Sequence, residues 1–169
     1  MEEQLRILRT MNRATGKVDL NGFSEIVGMS RGRILDSLQG LVKIGLIKNV
    51  EGRYSITLEG KIALKEHNPV PQENEFFFNI AVGQYTGLSA TSLKEFLEIL
   101  GKVDAKSLEF HVFRGDFEKW LLAVFNDTEL ANAFVKARES KLSGENLRKE
   151  LQSITAAKYG KFAIKLLAS

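Results

Sequence analysis

The chain reads as a mainly α protein of two domains. The first is three helices, a β-hairpin and a fourth helix; the second is a small helical domain with room for one or two strands. Three observations predict this. Apolar residues recur at helical spacing through most of the chain. A Glu51-Gly52 turn signal divides two short strand-prone runs, KNVEGRYSI. Both prolines, Pro69 and Pro71, fall in the polar stretch HNPVPQENE. The expected boundaries are therefore 1–66, a linker at 67–75, and 76–169.

Composition narrows the chemistry. The 169 residues are 44% hydrophobic and 27% charged, ordinary for a globular protein. The absence of Cys excludes disulfides and thiolate metal sites, and two His, His67 and His111, make an imidazole metal site a poor expectation. No cofactor is expected. No apolar run is long enough for a membrane span, and the charged start MEEQLRILRT does not look like a signal peptide. The expected location is the cytoplasm. Residues 1–66 hold 11 Lys+Arg against 8 Asp+Glu, net +3, whereas residues 67–169 hold 13 against 13, net 0. The excess suits a polyanion partner for the first domain.

Leu5, Leu8 and Met11 line one side of a helix at 2–14. A short helix follows at 21–27, with Asn21 as its cap. Ser30 is a candidate cap and Gly45 a terminator for a helix over 31–44. On a helical wheel Leu38 marks the core, flanked by Ile34, Leu35, Leu41 and Val42. Arg33, Asp36, Gly40 and Lys43 point the other way, with Ser37 and Gln39 at the flanks. An outward Gly40 costs about 1 kcal/mol relative to Ala, and one use for it is close approach of another surface. Thr57 caps a last helix carrying Leu58, Ile62 and Leu64. A hairpin after a helix–turn–helix is a winged-helix arrangement.

The segment LQGLVKIGLIKNVEGRYSITLEG resembles the helix-to-wing segment of prokaryotic winged-helix transcription regulators. The matching elements are Leu38, Leu41 and Val42, then Gly45-Leu46-Ile47, then Tyr54, Thr57 and Gly60. The resemblance implies that helix 31–44 enters the major groove of double-stranded DNA, with residues near its N-terminal end at base edges. Arg31 and Arg33 would then meet guanine edges or phosphates, a bidentate guanine contact discriminating by about 1–3 kcal/mol. Ser37 and Gln39 become polar readers, Gly40 a point of close approach, Lys43 a phosphate contact, and Lys48 and Arg53 the wing contacts. Asp36 is expected to pair with Arg33. The motif class also implies a homodimer, since dimers match two half-sites, and the whole chain is expected to be a nucleoid-associated archaeal regulator.

In the second domain FFFNIAV, residues 76–82, fits a buried strand. Ser92 with Glu95 forms a capping box, Asp104 starts a helix through His111, and Asp116 and Asp127 cap the next two. Ser143 precedes a last helix near 144–158. The stretches QYTGLSATSLKEF, SLEFHVFRGDFEKWL and NDTELA resemble an uncharacterised archaeal and bacterial domain family. That family also occurs attached to other domains, including carbohydrate-related enzymes. The resemblance implies a sensing or interaction module. Tyr85, His111, Arg114 and Trp120 are the candidate ligand or interaction residues, for a small-molecule or protein partner. Tyr85, Phe113, Phe117 and Trp120 line either a pocket or the core. The tail AAKYGKFAIKLLAS could pack on a partner subunit or complete the core.

Three rivals compete with a transcription regulator. A sequence-tolerant architectural DNA-binding protein predicts steep salt dependence without preference. A protein-interaction scaffold predicts that Arg31, Arg33, Lys48 and Arg53 are dispensable. An enzyme working through His111, beside Arg114, Asp116 and Glu118, lacks any nucleophile motif, phosphate loop or metal cluster, so no catalysis is expected. The RGD at 114–116 has meaning only for extracellular adhesion.

Overall fold

The computed structural model describes residues 1–14 and 19–161. They form a mainly helical structure with two small antiparallel hairpins. The chain divides into two units, Met1–His67 and Asn68–Gly160.

The first unit begins with α1 (Glu2–Arg13) and α2 (Leu20–Val27). Asp19, rather than Asn21, caps α2: its carboxylate accepts from the Gly22 N–H at 2.9 Å, while Asn21 lies exposed inside the helix. Next comes α3 (Arg31–Lys43). Ser30 stands at its N-cap position without a side-chain capping bond. The helix ends in a Schellman motif. Gly45, at φ 80°, donates to Val42 O, and Leu46 donates to Leu41 O, each at 3.0 Å. The accompanying apolar contact is supplied by Leu41 and Leu46, both fully buried.

Strands β1 (Ile47–Val50) and β2 (Arg53–Ile56) pair in register, Lys48 opposite Ser55 and Val50 opposite Arg53. Glu51 and Gly52 both have positive φ, the geometry of a type I′ turn, and Asn49 Oδ1 accepts from the Gly52 N–H. Thr57 then caps α4 (Leu58–His67): its hydroxyl accepts from Gly60 N–H and donates to Gly45 O. Gly60 meets a steric requirement, because a Cβ there would collide with the Leu46 carbonyl and lie 2.7 Å from Ile56 Cγ1. The core gathers Ile7, Leu8, Phe23, Ile34, Leu38 and Leu41. Each such side chain contributes about 1.5–3 kcal/mol by leaving water. Val42 and Leu58, expected inward, are 37% and 69% exposed, and Leu35 is half-buried.

The second unit starts within the stretch expected as a linker. Val70 N–H donates to Thr91 O, Pro69 bridges to Ser92, and Gln72–Asn74 form a 3-10 turn. The apolar run forms β3 (Phe76–Ala81), which folds back on β4 (Gln84–Ala90). Burial alternates along β3: Phe76 and Phe78 are inside and Phe77 outside, so this is a half-buried hairpin and not a fully buried strand.

Five helices follow: α5 (Leu93–Leu100), α6 (Ala105–Arg114), α7 (Asp116–Phe125), α8 (Thr128–Glu139) and α9 (Gly144–Lys158). Ser92 caps α5 through Glu95 N–H, and Glu95 reaches back to the N–H and hydroxyl of Thr91. Those two bonds from Thr91 hold the Glu95 carboxyl below its usual pKa. Packed aromatics fill the core. Phe96 lies 5.6 Å from Phe76, 4.9 Å from Trp120 and 6.3 Å from Phe134, ring centre to ring centre. Arg148 of α9 ties down the end of α5, donating to Leu100 O and Val103 O, each at 2.7 Å. Asp127 caps α8 through Leu130 N–H and also accepts from Lys158 Nζ at 2.8 Å and from the Tyr159 hydroxyl. No helix of the described residues is long and apolar enough to cross a membrane.

Candidate functional site

Among the described residues, two groups of side chains are candidates for a functional site. The first lies on α3 and the β1–β2 hairpin. Arg31, Gln39 and Lys43 are exposed on α3, and Ser37 is half-buried. Lys48 and Arg53 are exposed on the hairpin. The register puts both on one face, since Lys48 sits opposite Ser55 and Arg53 is two residues from Ser55. Among the described residues, Arg31, Lys43, Lys48 and Arg53 have no ion-pair or hydrogen-bond partner for their side-chain charges.

Arg33 differs. It is ion-paired with Glu3 of α1 and not with Asp36. Gly40 also turns toward α1: a Cβ there would lie 3.8 Å from Gln4 Nε2, ordinary contact distance. The expected outward glycine is therefore half-buried beside α1. Of the eight residues expected on this face, Arg33 and Gly40 are drawn to α1, and Ser37 is only partly accessible. The wheel placed residues by angle from Leu38 but contained no information about where α1 would lie.

The second group surrounds His111, which is 3% exposed. Asn79 N–H of β3 donates to its Nε2 at 2.8 Å, and Nδ1 lies 2.9 Å from Asp116 Oδ2. An acceptor at Nε2 fixes the neutral tautomer with hydrogen on Nδ1, donating to Asp116. Burial pushes the imidazole below its ordinary pKa of 6.5, against the upward pull of Asp116. Arg114 Nε donates to the same Asp116 oxygen at 3.1 Å, and its guanidinium sits over the Phe110 ring.

Asp116 is thus a shared acceptor at the first position of α7, where Gly115 occupies the cap. Gly115 has φ 69°, and a Cβ there would clash with the Arg138 guanidinium, whose Nη1 lies 2.5 Å from Glu118 Oε1. An open depression of about 210 Å³ borders this cluster, lined by Asn79, Ala81, Val82, Phe110, His111 and Arg114.

The other expected ligand residues do not join it. Trp120 belongs to the core and donates to Asn74 O at 2.7 Å. Phe117 is fully buried, and Phe113 is 85% exposed. Tyr85 is half-exposed and packs on Phe77, 5.7 Å between ring centres. Of the tail, residues 162–169 lie outside the described residues. Among the described residues no cluster of His, Asp and Glu could hold a metal ion.

The bond from Asn79 to His111 spans 32 residues and left no mark in the local sequence. The Glu3–Arg33 pair, the backbone bonds of Arg148 and the close approach at Gly60 are equally nonlocal. Of these positions the sequence had singled out His111, Arg33 and Gly60 for other reasons, and it gave no sign of Asn79 or Glu3 as partners or of the Arg148 bonds.

The model of a family of unknown function, DUF5752, matches residues 71–163, more than half of the chain. No curated protein and no solved structure matches. The α3 and β1–β2 face lies outside the matched stretch.

Proposed function

The chain belongs to the DUF5752 family, and from that premise we propose that it is a family member carrying a DNA-binding winged helix ahead of the family domain. The observation that carries this reading is the set of four unpaired cations, Arg31 and Lys43 on α3, Lys48 and Arg53 on the hairpin, within a helix–helix–helix–hairpin order. Such a helix presents its exposed face to the major groove and the hairpin to the backbone or minor groove. Gln39 is the exposed amide suited to an adenine edge. Asp36, exposed on the same helix, disfavours phosphate at its own position and favours a cytosine amino group. A regulator that reads sequence combines these polar groups with the four phosphate-seeking cations.

The test is a gel-shift salt series with genomic fragments, run on the wild type, Arg31→Ala/Lys43→Ala and Lys48→Ala/Arg53→Ala. Each double variant is expected to lower the salt slope by about two, one phosphate contact each. Selection of a few fragments against competitor DNA supports a regulator. Uniform binding points to an architectural role. No binding at low salt would overturn both and leave the face for a protein partner.

A further inference from the structure

The depression beside His111 brings charge of both signs against an apolar wall. Its lining holds one cation, Arg114, and one anion, Asp116, next to Ala81, Val82 and Phe110. Lys119 stands nearby but outside the lining, its ammonium given to Arg114 O.

Each of the two charged groups is only half engaged. Asp116 Oδ2 takes both the Nδ1–H of His111 and the Nε–H of Arg114, and Oδ1 has no partner among the described residues. The guanidinium carbon of Arg114 lies over the Phe110 ring, 5.1 Å from its centre. Among the described residues its Nη1 and Nη2 have no partner. The guanidinium is thus held at Nε and on one face, with the Nη fork left open. Such a fork takes a carboxylate through two parallel N–H bonds. His111 has both ring nitrogens engaged, by the Asn79 N–H and by Asp116. It is a positioning residue, which holds Oδ2 and leaves Oδ1 as an acceptor.

Charge balance selects the ligand. A simple anion on Arg114 would face Asp116, and a simple amine on Asp116 would face Arg114. One bond of 3.1 Å joins the two residues. A ligand that satisfies both must therefore carry its opposite charges only a few atoms apart. A carboxylate and an ammonium on one carbon meet that condition. The depression, about 210 Å³, is smaller than the roughly 300–1,000 Å³ of sites for drug-sized ligands, so the occupant is small. Ala81, Val82 and Phe110 offer its side chain an apolar surface. Val82, 79% exposed at the hairpin tip, gains a use there.

We propose that this depression binds a free α-amino acid with an apolar side chain, its carboxylate on the Arg114 Nη fork and its ammonium on Asp116 Oδ1. The site lies within the second unit, and the inference does not depend on DNA binding.

Isothermal titration calorimetry of the full chain tests it, with leucine, valine, methionine, phenylalanine, glutamate and lysine as probes. At least one of the four apolar amino acids should bind saturably at millimolar concentration or below, and more tightly than glutamate or lysine. Its amide, which lacks the carboxylate, and its N-acetyl form, which lacks the ammonium, should each bind about tenfold more weakly or worse. Arg114→Ala should weaken binding by about the same factor with an unchanged circular dichroism spectrum. Arg114→Lys should do likewise, because it keeps the charge and loses the fork. Asp116→Asn keeps an oxygen to accept from His111 but removes the anion. It should weaken the free amino acid and strengthen the N-acetyl form relative to wild type. The proposal is overturned if none of the four apolar amino acids binds, or if a blocked form binds as tightly as the free one. It is equally overturned if glutamate or lysine binds best, or if folded Arg114→Lys retains wild-type affinity.

Discussion

The imidazole of His111 accepts a hydrogen bond from the backbone N–H of Asn79, joining α6 to β3 at 2.8 Å. Protonation of Nε2 would set a donor against a donor there. Burial lowers the imidazole pKa from its ordinary 6.5, so the unfolded chain takes up this proton before the folded chain does. The stability owed to neutral His111 is full above pH 6.5 and is lost as pH falls through the lower folded value. Urea denaturation at pH 7.5 and 5.5 should show the difference, and His111→Phe should reduce it. At pH 7.5 that variant should also lose about 1–3 kcal/mol, because the Asn79 N–H is left unpaired.

Two glycines of the first unit should respond in opposite ways. Gly60→Ala forces a methyl group into the Leu46 carbonyl and should cost about 1–3 kcal/mol or more. Gly40→Ala meets only the far end of Gln4 at 3.8 Å and removes a flexible residue from a helix interior. It should gain up to about 1 kcal/mol. Urea midpoints of the two variants against wild type decide both.

Glu3 neutralises Arg33 on the face proposed for DNA. Glu3→Gln should free the guanidinium for phosphate. The expected result is tighter binding and a log–log salt slope steeper by about one. An unchanged slope in gel-shift titrations would place Arg33 away from the DNA.

Asp127 joins the start of α8 to Lys158 and Tyr159 at the end of α9. Burial raises its carboxyl pKa, but the bonds from Lys158, Tyr159 and Leu130 outweigh that and hold it below 3.8. Its contribution is therefore present above pH 3.8 and is lost as pH falls through the lower folded value. Asp127→Ala removes both the cap and the anion facing Lys158, and should cost about 3 kcal/mol at neutral pH. Acid titration followed by circular dichroism should show a shallower low-pH loss in the variant.

Elements set by local rules were legible in the sequence. The apolar spacing of Leu5, Leu8 and Met11, the Glu51-Gly52 turn, and the caps Thr57, Ser92 and Asp127 all act within a few residues, so the chain states them directly. Asn21 failed as a cap because Asp19, two residues earlier, offered a carboxylate to Gly22 N–H. Asp116 looked like a cap and is instead the shared acceptor of His111 and Arg114. Phe113 and Trp120 had equal claims as aromatics, and only packing separated an 85% exposed ring from a core one. The candidate DNA face was legible to the extent that its cations are local to α3 and the hairpin. The capture of Arg33 was hidden because its partner lies 30 residues away.

Trp120, the chain's one tryptophan, is held in the aromatic core of the second unit with its indole N–H on Asn74 O. Its fluorescence therefore reports the second unit alone, while far-ultraviolet circular dichroism sums the helices of both. If the units melt independently, the optical transitions separate, and a single two-state fit no longer describes the chain. A red shift that precedes or lags the loss of ellipticity would reveal which unit gives way first, without dissecting the protein.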